Sequence, residues 1–130
     1  ALGAEAIQMG TRFVASAESP VHAHFKNAIV DAPATGTWVL NKKATPCIRA
    51  LKSQRTEAYV AEGLMPPDAL QGIKRLYFEG DMEAAPALAG QSAGLIDRVK
   101  SAQEIIDETV AQFFEIAGRM GGMGAGRSFG

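Results

Sequence analysis

The stretch that most informs the fold is GAEAIQMGTRF, residues 3–13. Residues 4–9 are short, largely apolar and flanked by glycines, a pattern typical of a buried strand. The strand would end at a turn made by Gly10 and Thr11. Glycine lets a ligand approach the backbone closely, and the turn amides and the threonine hydroxyl can donate to phosphate oxygens. The turn is therefore either a phosphate site or a plain strand-to-helix turn in which Gly10 only permits the bend.

Composition places the chain among ordinary globular proteins of one domain. It has 130 residues and a mass of 13.7 kDa, with 47% hydrophobic and 21% charged residues and a formal charge of −1. This charge predicts no nucleic-acid partner and no membrane-surface partner. A single cysteine, Cys47, excludes an internal disulfide framework and a cysteine-rich zinc site, so no metal ligands are assigned. We expect a soluble, cytoplasmic protein.

Downstream, the predicted elements alternate between helices and one clear strand. Ser19-Pro20 is typical of a helix start, and the apolar spacing behind it predicts a helix that closes at Pro33. The run Thr37–Leu40 is the most strand-like by side-chain type. Thr45-Pro46 repeats the start signal and predicts a helix over residues 47–62 that ends at Gly63. Residues 65–90 predict short helices joined by loops.

The most regular element is a helix predicted over residues 101–117. Ser101 and Glu104 form a capping box, and the apolar residues after it share one face: Ile106, Val110, Phe113 and Ala117. Residues 120–130 hold five glycines and predict a mobile tail. Two isolated strands cannot complete a sheet of ordinary size. Together with the absence of an initiator methionine, this predicts a fragment of a longer polypeptide.

Several other residues allow both a functional and a structural interpretation. Gln91 and Ser92 lie in a glycine-flanked loop that can contact a ligand, although Ser92 can equally cap the short helix that follows. His22 and His24 stand two apart on a predicted helix, where their side chains diverge, so a structural role is favoured over metal binding. Cys47 is interpreted as a packing residue.

Four ordered segments together resemble one enzyme family. They are GAxxIQMGTRF with the following SPxH and Phe-Lys helix, RALK at 49–52, AGQSAGLI at 89–96, and the SAxEII helix start. The resemblance is to the nitronate monooxygenases, formerly 2-nitropropane dioxygenases, and it runs from residue 1 to about residue 117. It favours the phosphate interpretation of Gly10 and Thr11.

The resemblance implies an α/β fold: the C-terminal portion of an FMN-binding (β/α)₈ TIM barrel with a small, mainly helical substrate domain inserted. Residues 1–18 would be the last strand and the phosphate-binding turn, and residues 19–88 the substrate or lid domain. Residues 89–119 would return to the barrel with its closing helix, and residues 120–130 would be the tail. By the same resemblance, four residues would contact the FMN phosphate: Gln8, Met9, Gly10 and Thr11.

The implied activity is FMN-dependent oxidation of alkyl nitronates with O₂ to carbonyl compounds and nitrite. The first seven strands and the catalytic histidine of the family have no counterpart here. We therefore expect a C-terminal fragment, inactive alone, whose partner is the missing N-terminal barrel portion; a homo-oligomer stays open. No catalytic residue is assigned, and Gln91 and Ser92 are candidates for contact with substrate or flavin. Two alternatives are an FMN-type enoyl-acyl-carrier-protein or NAD(P)H:quinone reductase, and a non-catalytic assembly module.

Overall fold

Helices surround one small antiparallel sheet in residues 5–124, the part of the chain that the computed structural model describes. A π-helical turn at Arg75–Glu79 and a 3₁₀ turn at Gln91–Leu95 lie between the last two helices. The regular elements, in chain order, are α1 (Thr11–Val14), α2 (Ala23–Val30), β1 (Thr37–Leu40), β2 (Ile48–Leu51), α3 (Gln54–Glu62) and α4 (Ala102–Gly124).

The first segment departs from its prediction. Residues 5–9 form no strand, and Ile7 is 70% exposed instead of buried. A strand is defined by hydrogen bonds to a neighbour. Within residues 5–124, none of the strand pairs or isolated bridges involves this segment. Residue 4, which the same prediction includes, lies outside the described residues. The barrel strand that the resemblance implies is therefore not formed here.

The predicted strand at Thr37–Leu40 is confirmed as β1, but its neighbour was missed. β2 pairs with β1 antiparallel, with Thr37 opposite Leu51, so the helix predicted over residues 47–62 is wrong in its first part. The helix α3 begins only after Ser53. That residue forms a reciprocal capping box with Thr56, whose amide lies 3.2 Å from the Ser53 hydroxyl. The predicted end at Gly63 is confirmed, and this glycine has a positive φ of 74°.

Helix α2 starts later than Ser19-Pro20 predicts. Its N-cap is His22, whose Nδ1 accepts a hydrogen bond from the His24 amide at 3.1 Å. His24 Nδ1 in turn lies 3.0 Å from the Gly80 carbonyl oxygen. Both histidines therefore hold the helix start in place, which agrees with the structural interpretation of the pair. The predicted divergence of their side chains is wrong, because His22 precedes the helix and the two rings meet edge to face with 4.5 Å between their centroids.

The core forms where α2 packs against the π-helical turn and the residues after it. Phe25, Ile29 and Leu76 are almost fully buried. The chain passes close to them through four buried alanines, Ala84, Ala85, Ala87 and Ala89. The Phe25 ring stacks on Tyr77 with 5.3 Å between ring centroids. Burial raises the pKa of the Tyr77 phenol above its ordinary value. The core thus holds α2 to the segment that precedes Gly90.

Helix α4 begins as the sequence predicts. The Ser101 amide donates to the Glu104 carboxylate at 2.7 Å, and the Glu104 amide donates to the Ser101 hydroxyl at 3.2 Å. The Ser101 hydroxyl also donates to the Glu104 carboxylate at 2.7 Å, and this bond, together with that from the Ser101 amide, lowers the pKa of the Glu104 carboxyl. The helix continues to Gly124, so the prediction of a mobile tail is wrong for residues 120–124. Residues 125–130 lie outside the described part of the chain.

The predicted apolar face of α4 is not buried by the described residues. Ile106, Val110 and Phe113 are 47%, 49% and 64% exposed, whereas the neighbouring Ile105 is 2% exposed. The helix thus contacts the rest of the chain mainly through its first turns. None of the helices in residues 5–124 is both long and apolar enough to span a membrane.

Candidate functional site

A cavity of about 860 Å³ lies where three parts of the described chain meet. Its walls come from the Gly10 turn, which we define as residues 8–12, from residues 90–97, and from the inner face of α4. The cavity brings together all six site residues that the sequence predicts: Gln8, Met9, Gly10, Thr11, Gln91 and Ser92. The two candidate segments are about 80 residues apart in the chain, and only the fold places them on one cavity.

The Gly10 turn presents its backbone to the cavity. Gly10 has φ −96°, so glycine is not needed there for a left-handed conformation. A Cβ built on Gly10 would meet nothing within 4 Å, which leaves open space beside this stretch of backbone. The Phe13 and Val14 amides of α1 already donate to the Gly10 carbonyl at 3.0 Å each, which leaves the amides of Gly10, Thr11 and Arg12 without a partner among the described residues. The backbone of this turn is therefore free to receive a hydrogen-bond acceptor.

Thr11 joins the two halves of the cavity. Its Oγ1 accepts a hydrogen bond from the Gly90 amide at 2.8 Å. A Cβ on Gly90 would lie 3.3 Å from that oxygen, so glycine suits the close approach. A hydroxyl has one proton to donate and two lone pairs. Because Thr11 accepts from Gly90, its own proton can be directed at a ligand in the cavity.

The Gln91–Leu95 turn carries the second predicted pair. Gln91 and Ser92 are exposed toward the cavity, while Ala93 is buried beneath them. The N-cap of this turn is Gly90, so Ser92 lies inside the turn and does not cap it. The capping interpretation of Ser92 is therefore wrong, and its hydroxyl is exposed to the cavity.

The described cavity wall carries four charged residues, Arg12, Asp97, Lys100 and Glu108, and two of them pair. Lys100 Nζ lies 2.6 Å and 2.9 Å from the two carboxylate oxygens of Glu108, so these two charges largely neutralise each other. Arg12 Nη1 donates to the Arg98 carbonyl at 2.9 Å, but Nη2 is buried and finds no partner among the described residues. A buried donor without an acceptor is costly. Arg12 and Asp97 form no ion pair within the described chain, so on this wall Arg12 would favour an anion and Asp97 would oppose one.

Arg12, Lys100 and Glu108 were not assigned from the sequence. Arg12 belongs to the GTRF run, so a signal for it was present: a cation directly after a turn whose amides suit an anion. No such signal marks Lys100 and Glu108, which stand eight residues apart and become partners only when α4 forms. As a set, the turn amides, the Thr11 hydroxyl and Arg12 suit a phosphate group.

We expect Arg12→Gln to weaken binding of inorganic phosphate at the Gly10 turn about tenfold, because it removes a charge-assisted donor. The measurement is a titration of the backbone amide resonances of Gly10 and Thr11 with phosphate. Arg75→Gln is the matched control, since Arg75 pairs with exposed Asp81 at 3.1 Å and does not line the cavity. Equal phosphate affinity of the Arg12 variant and the wild type would contradict this role.

Comparison with known proteins gives consistent matches. The family model for nitronate monooxygenase matches residues 1–112. The solved structure of FabK from Thermotoga maritima is similar with a TM-score of 0.82 and 36% identity over 94% of this chain. A point mutant of the same protein gives a TM-score of 0.80 and 38% identity, again over 94%. This chain spans 41% and 38% of the length of those two structures.

Proposed function

The chain belongs to the nitronate monooxygenase family, and on this premise we propose that it supplies the phosphate anchor and part of the substrate lid of an FMN-dependent oxidoreductase. The observation that carries the proposal is the shared cavity. Gln8, Met9, Gly10 and Thr11, which the resemblance assigns, line it together with Gln91 and Ser92, which their glycine-flanked loop singled out.

The cavity fits the phosphate end of FMN on three counts. Open space beside Gly10 leaves room for a phosphate oxygen at the backbone. Thr11 has a hydroxyl proton to donate, since its oxygen already accepts from Gly90. Arg12 lines the same cavity and brings a positive charge that has no ion-pair partner among the described residues. In this proposal, Gln8, Met9, Gly10 and Thr11 hold the phosphate, and Arg12 contributes charge.

FMN, when bound, would supply the oxidation of an alkyl nitronate with O₂ to a carbonyl compound and nitrite. The share of this chain is binding and orientation. The Gly10 turn fixes the phosphate end, and Gln91 and Ser92 are exposed on the same cavity, where an amide and a hydroxyl can orient a polar substrate atom. Residues 19–88 are the proposed lid domain.

The phosphate anchor is tested by comparing FMN with riboflavin, which has the same ring system and no phosphate. We expect FMN to shift the backbone amide resonances of Gly10 and Thr11 in the chain, because the phosphate accepts hydrogen bonds from the turn. Riboflavin at equal concentration should leave them in place, and inorganic phosphate should compete with FMN. Shifts of equal size with riboflavin, or none with FMN, would count against the anchor.

The flavin-dependent reductases remain the second candidate. The solved structures that match carry the name FabK, whereas the matching family model carries the name nitronate monooxygenase. Enoyl-acyl-carrier-protein and NAD(P)H:quinone reductases both require reduced nicotinamide. Stopped-flow measurement of flavin bleaching in the flavin-loaded whole protein separates the classes. Anaerobic bleaching by an alkyl nitronate but not by NADH supports the oxidase, and the reverse supports a reductase.

The exposed apolar face of α4 supports a role in assembly alongside the flavin role. Ile106, Val110 and Phe113 share this face and are each about half exposed or more. An apolar stripe of this kind normally packs against another element. We propose that a preceding barrel portion covers it in a longer protein. Sedimentation of the chain alone tests the competing occupant, a second copy, because self-association through this face would produce a dimer.

A further inference from the structure

We propose that Thr11 couples occupancy of the phosphate site to the order of the Gln91–Leu95 turn. This inference rests on the proposed function, since it concerns how the same cavity responds to its ligand. Thr11 has two hydrogen-bonding roles that are available at once: its oxygen accepts from the Gly90 amide at 2.8 Å, and its proton is available to an anion. Among the described residues that line the cavity, Thr11 is the one whose side chain forms a hydrogen bond between the Gly10 turn and Gly90.

The two hydrogen bonds reinforce each other. When the Thr11 hydroxyl donates to an anion, electron density on its oxygen rises and the oxygen becomes a better acceptor for the Gly90 amide. Gly90 is the N-cap of the Gln91–Leu95 turn, so a stronger bond at Gly90 holds the start of that turn more firmly. The effect reaches Gln91 and Ser92, the next two residues along the chain.

The far end of the turn is anchored independently. A Cβ built on Gly94 would lie 2.5 Å from both the Ala34 Cα and the Pro33 carbonyl oxygen, so the backbone of the turn packs directly on the connection between α2 and β1. Ala93, between the two anchors, is completely buried. The bond from Gly90 to Thr11 is thus the hydrogen bond that joins the start of this turn to the Gly10 turn.

Coupling of this kind is reciprocal. If an anion at the Gly10 turn orders Gln91 and Ser92, then a substrate that orders these residues must tighten anion binding by the same factor. The geometry therefore assigns Thr11 as a positioning residue for the substrate side of the cavity, in addition to its contact with phosphate.

The test is hydrogen exchange at the Gly90 amide, measured by NMR with and without saturating inorganic phosphate, and then with FMN. In the wild type we expect phosphate to slow this exchange about threefold to fivefold, the size of one modest hydrogen-bond gain. Thr11→Ser keeps the hydroxyl and should keep the response. Thr11→Val keeps the shape, removes the acceptor and should abolish it.

Two controls keep the result interpretable. Thr37→Val removes a hydroxyl that accepts from Arg49 at 3.0 Å outside the cavity, and it should leave the Gly90 response unchanged. The Leu51 amide, which donates to the Ala87 carbonyl at 2.8 Å, reports whether each variant is folded.

Each remaining outcome overturns the coupling. If Gly90 responds equally in Thr11→Val, another group transmits the effect. If phosphate shifts the Gly10 and Thr11 resonances but leaves Gly90 exchange unchanged in the wild type, the coupling is absent and the phosphate anchor stands. If neither phosphate nor FMN shifts any resonance of the Gly10 turn, the anchor and the coupling both fail.

Discussion

Replacing Phe25 with alanine is expected to lower the free energy of unfolding by about 3–5 kcal/mol, the range for a large aromatic removed from a packed core. Phe25 is 1% exposed and lies on the inner face of α2 beside Ile29. Its ring is nearly parallel to that of Tyr77, with 12° between the ring planes, so the substitution also removes a stacking contact. Urea denaturation followed by circular dichroism measures the change.

Phe113→Ala is the matched control, because it deletes the same atoms from a site that is 64% exposed. We expect the free energy of unfolding to stay within about 0.5 kcal/mol of the wild-type value, as for most surface substitutions. Alanine also favours the helix more than phenylalanine does. Similar losses in the two variants would show that α4 is buried in solution, for instance by a second copy, and that the core is not centred on Phe25.

Elements with their own terminal signals were predictable from sequence. Ser101 and Glu104 satisfy each other's backbone groups within one turn, so the start of α4 is decided locally. The end of α3 at Gly63 is decided in the same way, by a glycine in the left-handed conformation. The strand β1 was found because its residue types favour a pleated, half-buried surface.

Elements defined by a distant partner were not predictable. β2 has only four residues, and its pairing with β1 overrides the helix start that Thr45-Pro46 indicates. For residues 5–9 a strand was predicted that is not formed. Their apolar pattern favours a strand, but no strand of the described chain pairs with them. His22 replaced Ser19 as the cap of α2 because its amide bonds to the Tyr77 carbonyl, a contact across 55 residues.

The candidate site was likewise predictable only in the parts that local sequence determines. The Gly10 turn and the Gln91–Leu95 turn were each singled out from local sequence, and both line the cavity. Their connection through Thr11 and Gly90 depends on tertiary packing and leaves no local pattern. The same holds for the partner of Lys100, since Glu108 neutralises it only across two turns of α4.

Gly94→Ala is expected to lower the free energy of unfolding by about 1–3 kcal/mol, the usual cost of forcing atoms into filled space. The new Cβ would lie 2.5 Å from the Ala34 Cα and from the Pro33 carbonyl oxygen. Both are backbone atoms, so no side-chain rotation relieves the contact, and the turn must shift away from the α2–β1 connection. The change is measured by urea denaturation, as for Phe25.

Gly118→Ala is the matched control for this substitution. A Cβ on Gly118 would meet nothing within 4 Å, and the residue lies inside α4. Alanine there should raise the free energy of unfolding by about 0.5–1 kcal/mol, the ordinary preference of a helix for alanine over glycine. The change from glycine to alanine should thus lower the free energy of unfolding at position 94 and raise it at position 118. Effects of the same sign at both positions would contradict the close packing of Gly94.

The Gly94→Ala variant also distinguishes the effect of the position of the Gln91–Leu95 turn from the effect of the hydrogen bond between Gly90 and Thr11. It leaves the Thr11 hydroxyl and the Gly90 amide intact, yet it moves the opposite end of the turn that carries Gln91 and Ser92. If ordering of the turn requires both anchors, phosphate will still shift the Gly10 and Thr11 resonances but will slow exchange at Gly90 less than in the wild type. A full response at Gly90 would mean that the bond to Thr11 suffices alone and that Gly94 serves only packing.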